Sequence, residues 1–255
     1  MSIIAVFNQK GGVGKTTTAL NFAAALSRIG RSPCGIDLDP QAQFSSIANV
    51  TVKSGAETVL GLFQHNHALR SLVRESAGNL SIIPAHTELS KVDVLYGKGY
   101  NVVNRLNIAL HSEHFGGKET PVVIDCSPMI GVLSLNAIFA CSGLIVPISA
   151  DHLSTKGAIQ IEKTLNALEP VLKHRVNRRY LLTRFDGRRR MAWDVLKLVE
   201  EKFGADVCRT RISECVSLAE SPALNKTVFE HAPESRGARD YDDLLKELLA
   251  DGFVE

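Results

Sequence analysis

The chain has 255 residues, a formal net charge of +2 and a mean hydropathy near zero, which suits a globular enzyme and by itself demands neither nucleic acid nor a membrane. Its five cysteines are odd in number and form no Cys-x-x-Cys pair, so the sequence favours reduced cytoplasmic thiols over disulfides or zinc. No basic leader and no apolar run of about 18 residues is present, which argues against export and membrane spanning. We expect one domain over residues 1–255.

Short apolar runs alternate with helical patterns along the whole chain. Each run is about as long as a typical strand, and most are followed by an amphipathic segment. This rhythm predicts an α/β fold, a mostly parallel twisted sheet with helices on both faces, and the stretch from Thr51 to Asn79 reads as an inserted helical segment. The predicted strands are Ser2–Phe7, Pro33–Asp37, Leu80–Pro84, Pro121–Asp125, Gly143–Ile148, Arg179–Phe185 and Val207–Ile212.

A glycine-rich loop follows the first predicted strand directly. Lys10 to Thr17 read Lys-Gly-Gly-Val-Gly-Lys-Thr-Thr and lead into a helical pattern. Backbone N–H groups of such a loop, together with the positive end of the helix, form a nest for a triphosphate. Lys15 would lie along the β- and γ-phosphates and Thr16 would ligate Mg²⁺. The loop residues predicted to bind the nucleotide are Gly11, Gly12, Val13, Gly14, Lys15, Thr16 and Thr17.

Carboxylates end two other predicted strands, and the carboxyl ends of parallel strands meet at one edge of a sheet. Asp125 closes an apolar run in the manner of a Walker B strand, whose aspartate holds Mg²⁺ directly or through water. Asp37 and Asp39 are two residues apart, so on an extended segment they point to the same side. One can support the metal shell while the other positions the attacking water. The sequence thus predicts ATP and Mg²⁺ as cofactors.

Four of these segments resemble the motifs of the ParA family of deviant Walker ATPases, and the resemblance extends over nearly the full chain. It implies an ATP-dependent homodimer in which Lys10 reaches the phosphates held by the partner. It also implies that Asp39 orients the hydrolytic water and that Asp37 supports the metal region. Slow hydrolysis, stimulated by a ParB-like or cargo-adaptor protein, would reset the dimer. The four motifs are Lys10–Thr17, Asp37–Gln41, Ile124–Pro128 and Leu144–Pro147.

Basic residues are concentrated between Lys173 and Arg190. This segment contains eight lysines and arginines and a single acidic residue, Asp186. Such a patch would contact DNA phosphates without reading base sequence. The family resemblance places non-specific DNA binding in this region and so implies a nucleoid-associated protein. Ser217 stands where many relatives carry a second arginine. The residues predicted to bind DNA are therefore Arg184, Arg188, Arg189 and Arg190.

Three alternatives to a DNA-binding ParA protein remain at the level of sequence. A MinD-like membrane-cycling ATPase would need a basic amphipathic tail, and the acidic segment Tyr241 to Glu255 has the wrong charge, so we expect no membrane partner. An iron-protein-like reductase would need paired cysteines at a dimer axis, and Cys126 lacks an evident partner. A degenerate interaction module is disfavoured by the intact phosphate loop. Chromosome, plasmid, chemoreceptor array and protein organelle all remain open as cargo.

Overall fold

The computed structural model describes residues 2–76, 79–96 and 99–255. Its seven strands form one sheet in the order β3-β4-β2-β5-β1-β6-β7, and only the β3–β4 pairing is antiparallel. The predicted α/β class, with a mostly parallel sheet, is therefore confirmed. The strands are β1 Ile3–Val6, β2 Cys34–Leu38, β3 Arg74–Glu75, β4 Ser81–Ile83, β5 Val122–Cys126, β6 Gly143–Ser149 and β7 Arg178–Thr183.

Helices cover both faces of this sheet, and the alternation of side chains along each strand divides the core in two. In β1, Ile3 and Ala5 belong to one core, whereas Ile4 and Val6 belong to the other. The helices are α1 Lys15–Arg28, α2 Gln43–Ile47, α3 Val59–His65, α4 Leu69–Leu72, α5 Ser90–Leu95, α6 Tyr100–Val103, α7 Arg105–Ser112, α8 Val132–Ala140, α9 His152–Leu172, α10 Arg190–Phe203, α11 Val216–Glu220, α12 Val228–His231 and α13 Arg236–Ala250.

The predicted strand Val207–Ile212 does not form, although the segment runs beside β7. The N–H groups of Cys208 and Ile212 donate to the carbonyls of Tyr180 and Leu182 in β7. Four residues on one side thus match two on the other, and the extra residues bulge outward. The N–H groups of the bulge, at Arg209 and Thr210, donate instead to the buried carboxylate of Glu247 in α13, each at 2.7 Å. The Glu247 side chain from α13 therefore takes two N–H groups that a regular strand would use to bond to β7.

The stretch from Thr51 to Asn79 contains α3 and α4, as the irregular pattern suggested, but it also contributes the short antiparallel strand β3. Residues 77 and 78 of this stretch lie outside the described part. The C-terminal segment packs its apolar side chains into the core, with Tyr241, Leu244 and Phe253 all buried. In the part of the chain that the structure covers, no helix is long and apolar enough to cross a bilayer.

Candidate functional site

The glycine-rich loop joins β1 to α1 through backbone conformations that suit glycine. Gly12 has a φ of +74° and Gly14 a φ of +87°, both in the left-handed region that other residues enter at a cost. Helix α1 begins at Lys15, immediately after the second of these glycines. The first N–H groups of a helix lack partners within the helix, and here they open toward the loop. The local geometry is therefore that of an anion-binding nest.

The loop is held in place from two neighbouring strands. The buried Asn8 accepts the N–H of Lys10 at 2.9 Å and donates to the carbonyl of Pro147 in β6 at 2.7 Å. From β7, the Thr183 hydroxyl donates to the carbonyl of Val13 at 2.8 Å. The position of the loop thus depends on pairings across the sheet, and not only on the loop sequence.

Lys15 lies inside this loop and is almost fully buried. Its Nζ donates to the carbonyl of Lys10 at 3.1 Å, across the mouth of the nest. Burial lowers the pKa of the Lys15 ammonium, and the negative charges of Asp125 and Asp39 oppose that shift. A cation held among carboxylates and backbone N–H groups is suited to a multiply charged anion.

Asp37 and Asp125 lie side by side, because β2 and β5 are adjacent and pair these two residues in register. Both side chains are fully buried. Burial raises the pKa of Asp125 well above its ordinary value, and the neighbouring Asp37 raises it further, while Thr16 and Lys15 favour the ionised form. Thr16 is close enough to affect the pKa of Asp125, but neither Asp125 oxygen has a partner with full hydrogen-bond geometry among the described residues. Unpaired buried oxygens beside a threonine hydroxyl fit a hydrated Mg²⁺ ion, which prefers oxygen ligands.

Asp37, in contrast, uses both of its oxygens within the protein. Oδ1 accepts the N–H of Asp39 at 3.0 Å, and Oδ2 accepts the N–H and the hydroxyl of Ser45 at 2.9 and 2.7 Å. Burial raises the pKa of Asp37 to about 6, and these hydrogen bonds oppose the shift. Asp37 therefore ties the end of β2 to α2. Asp39 is half-buried, lines the cleft beside the loop, and accepts the N–H of Gln41 at 2.9 Å.

Lys10 forms an ion pair within its own chain. Its Nζ lies 2.8 Å from Oδ1 of Asp151, two residues after the end of β6, and the two side chains are 32% and 38% exposed. Our sequence analysis did not include Asp151. The rule that strand ends converge would have found it, since Asp151 follows a strand adjacent to β1.

A cleft of about 440 Å³ opens beside the loop and collects most of the predicted residues. Asp39 and Pro128 line this cleft, and so do the apolar side chains of Ile212 and Leu218. Arg184 lies on this cleft too, with its guanidinium Nη1 at 3.5 Å from the carbonyl of Gly12. The structure thus places Arg184 with the phosphate loop, apart from the three arginines that follow it.

The basic segment does not form one continuous patch, so the local charge concentration expected from the sequence was wrong. Arg175 and the buried Arg178 lie at the start of β7, where Asp206, Glu162 and Glu169 pair with them. Strand β7 spans six residues, about 20 Å, before the second group begins. Sequence reasoning counted charge along the chain and did not include these acids from other elements.

The second group consists of Arg188 and Arg189, which precede α10, and Arg190, its first residue, and all three side chains are exposed. Arg188 makes a bidentate contact with Asp186, at 2.9 and 3.0 Å, and Arg189 contacts Asp186 at 3.2 Å. These arginines hold the pKa of Asp186 at about 2. Arg190 is 94% exposed, and Asp194 lies at 4.0 Å, the outer limit of an ion pair. Arg189 also lies 3.5 Å from Glu214, so acids pair with this group too, but its three guanidinium groups remain exposed at the surface.

The geometry also bears on the alternative readings. Cys126, the residue on which the reductase alternative depended, is buried in the core, and burial raises the pKa of its thiol well above the ordinary range. A membrane-cycling protein would need its C-terminal helix to be available to lipid. In this chain the apolar face of that helix, α13, packs inside the molecule, and the Tyr241 hydroxyl lies 3.2 Å from the Thr18 hydroxyl in α1. Neither feature faces outward.

Comparison with known proteins decides the family. A family model described as an AAA domain matches residues 1–178. The chromosome-partitioning ATPase Soj of Thermus thermophilus is 35% identical over 97% of this chain and 95% of its own, and the sporulation initiation inhibitor protein Soj of Bacillus subtilis is 32% identical over 98% and 99%. The chromosome partitioning protein ParA of Caulobacter vibrioides is 31% identical over 98% and 94%. The chain belongs to the ParA family.

Solved structures agree with this ParA assignment at the level of fold. A cobyrinic acid a,c-diamide synthase of Mycobacterium smegmatis, with bound ADP and magnesium, superposes with a TM-score of 0.84 at 25% identity, covering 99% of this chain and 95% of that one. A putative plasmid partition protein of Borrelia burgdorferi gives 0.83 at 21% identity, covering 98% and 99%. The AAA-domain match covers the phosphate loop and the predicted site residues Asp37, Asp39 and Asp125 of this ParA-family chain. Arg184 to Arg190 lie beyond the matched region.

Proposed function

We propose that this protein is a ParA-type partitioning ATPase that dimerises on ATP, binds DNA without sequence preference, and moves or positions a cargo through slow ATP hydrolysis. The observation that carries the proposal is the set of charged groups around Lys15. Lys15 and Asp39 line one cleft, the Lys10 carbonyl lies 3.1 Å from the Lys15 ammonium, and the charge of Asp125 acts on the pKa of Lys15. Full-length similarity to chromosome-partitioning proteins supports it.

The triphosphate would occupy the nest formed by residues 11–17, with Lys15 neutralising the β- and γ-phosphates. Thr16 and Asp125 would hold Mg²⁺, and the unpaired oxygens of Asp125 support this assignment. When bound, the ion neutralises charge that develops on the phosphate oxygens. Asp37 acts indirectly in this proposal, because its oxygens hold the Asp39 loop through Ser45 and the Asp39 N–H.

Asp39 is the proposed water-positioning residue, since it lines the same cleft as Lys15 and the phosphate loop. Lys10 would cross to the phosphates of the partner subunit, where a cation stabilises charge in the manner of an arginine finger. The contact with Asp151 then belongs to the single chain and is exchanged for phosphate on dimerisation. This exchange would make dimer formation depend on ATP.

Arg188, Arg189 and Arg190 supply the proposed DNA contacts, because they are exposed cations that lie away from the nucleotide cleft, whereas Arg184 lines that cleft. A ParB-like or cargo-adaptor protein would stimulate hydrolysis and release the dimer from the nucleoid. The relatives named for chromosome partitioning favour a chromosomal partition complex as cargo.

Dimerisation and turnover test this proposal together. By light scattering, the wild-type protein should be a dimer with ATP and a monomer with ADP. Lys10→Ala should bind ATP but stay monomeric, and Asp39→Ala should accumulate as a dimer while turnover falls about a hundredfold or more, the scale of losing one catalytic group. Lys202→Ala, an exposed lysine at the far end of α10, is the matched charge control. A wild-type protein that remains monomeric with ATP would contradict the proposal.

A further inference from the structure

A second groove, of about 690 Å³, adjoins the nucleotide cleft on the other side of the segment after the bulge. Ser213 and Glu214 line both cavities, so the two share a wall. The loop that follows β7 forms one side of the groove, and the start of α13 closes it. Our sequence-based prediction of DNA contacts did not include Arg211 or Arg236, which lie on this groove.

Arg211 is held in the groove by two aromatic rings. Its guanidinium carbon lies 5.1 Å from the ring centre of Phe185 and 5.3 Å from that of Trp193. The rings meet edge to face at 5.2 Å, and the indole N–H donates to the carbonyl of Gly187 at 2.8 Å. Cation–π contacts therefore fix the guanidinium at the surface before any ligand arrives, which reduces the entropy lost on binding.

Most charged groups around the groove already have partners. Asp186 and Glu214 contact Arg188 and Arg189, and Asp243 contacts Lys246. A separate pairing joins Arg209 to Glu247 and Asp251.

Arg211 and Arg236 differ from these pairs. Within the described ranges, neither has a carboxylate oxygen within ion-pair distance. Asp240, the remaining acid of the groove, accepts the N–H of Ser213 at 2.7 Å. The cationic capacity of the groove is therefore concentrated in two guanidinium groups.

We propose that Arg211, positioned by Phe185 and Trp193, binds a phosphate of the DNA backbone, with Arg236 as a second contact on the same groove. The proposal rests on the DNA binding proposed above and names a contact outside the basic segment. A guanidinium presents two parallel N–H donors that match two phosphate oxygens. The 90% exposed Arg188 belongs to the same groove lining, which gives an extended duplex several cationic contacts along one surface.

The single tryptophan of the chain makes this groove directly observable. With a non-hydrolysable ATP analogue and Mg²⁺, random-sequence duplex DNA should protect Trp193 from acrylamide quenching. Arg211→Ala should weaken DNA binding and make the log–log dependence of affinity on salt shallower by about 0.9 per subunit, the value for one lost phosphate contact. Arg211→Lys should keep the wild-type slope, because it keeps the charge.

Trp193→Leu separates positioning from charge. It leaves every cation in place, so the salt slope should stay at the wild-type value while DNA affinity falls several-fold. Lys202→Ala, about 13 Å further along the same helix, should change neither quantity. Binding of the ATP analogue and the thermal midpoint should match the wild type in each variant, which establishes that the fold is intact.

The outcomes distinguish this contact from DNA binding in general. If the wild type binds DNA but Arg211→Ala keeps its salt slope and Trp193 stays open to quencher, the groove proposal is overturned while the proposed function stands. If the wild type does not bind DNA at all, both fail. If poly-glutamate protects Trp193 and duplex DNA does not, the groove takes an acidic protein segment and the proposal is likewise overturned.

Discussion

The ion pair between Lys10 and Asp151 leads to a quantitative prediction about dimerisation. The two side chains are 32% and 38% exposed, so the pair belongs to the class of solvent-screened contacts. Such pairs contribute about 0.5 kcal/mol each, within a measured range of roughly 0.2–1 kcal/mol. If each subunit must give up this contact when Lys10 crosses the interface, two pairs are lost per dimer. Losing both pairs would oppose dimerisation by about 1 kcal/mol, which makes the dimer dissociation constant about fivefold larger.

Asp151→Asn removes the charge and keeps the shape, so the ATP-bound dimer should become about fivefold tighter, on the same reckoning of surface ion pairs. Sedimentation velocity with a non-hydrolysable ATP analogue over a dilution series measures the constant. Asp206→Asn, which removes an equal charge beside Arg175, should leave it unchanged. The double variant Lys10→Ala/Asp151→Asn should remain monomeric. An Asp151→Asn dimer that is no tighter, or is weaker, would refute the exchange of partners.

Three other substitutions test the site. Arg184→Ala should lower the affinity for a fluorescent ATP analogue and leave the salt slope of DNA binding unchanged, because its guanidinium lies on the phosphate-loop cleft; the reverse pattern would return Arg184 to the DNA surface. Arg188→Glu/Arg189→Glu should eliminate salt-sensitive binding to random duplex in shift assays, whereas Lys173→Glu/Arg175→Glu, an equal charge change before β7, should have little effect. The pKa of Asp125 is higher in the folded protein than in the unfolded chain. Its contribution to the free energy of unfolding is therefore complete below the unfolded-state pKa and is lost as the pH rises through the folded-state pKa. Asp125→Asn in EDTA should therefore raise the melting temperature over wild type at pH 8, with the difference shrinking toward pH 4; a difference independent of pH would contradict this.

The phosphate loop and the aspartates could be predicted because each signal is local in sequence. Glycine spacing sets the loop conformation, and an acid at the end of an apolar strand must lie at the carboxyl edge of a parallel sheet. Adjacent strand order adds information that the sequence lacks. The pairing of Asp37 with Asp125 depends on β2 lying next to β5, although Asp125 comes 88 residues after Asp37 in the chain.

The errors at β7 have the opposite origin. Charge counted along Lys173 to Arg190 ignores that a strand separates its two halves, and that acids from α9 and from the turn after α10 neutralise the first half. Likewise, the apolar run Val207–Ile212 reads as a strand until Glu247, about 38 residues later, takes two of its N–H groups. Both outcomes depend on long-range partners, which override local propensity.

The end of β7 connects the nucleotide cleft to the groove for which we propose DNA binding. Thr183 holds the phosphate loop through Val13, and the next residues bond to the segment after the bulge, with Phe185 donating to Ile212 at 3.0 Å and Glu214 donating to Phe185 at 3.2 Å. Ser213 and Glu214 of that segment line both the nucleotide cleft and the groove that contains Arg211. A shift of the loop on binding phosphate would therefore reach Ile212, the neighbour of Arg211 in the chain, through two hydrogen bonds. Because coupling between sites requires a physical element that both sites contact, this strand end is where we expect ATP to alter DNA affinity.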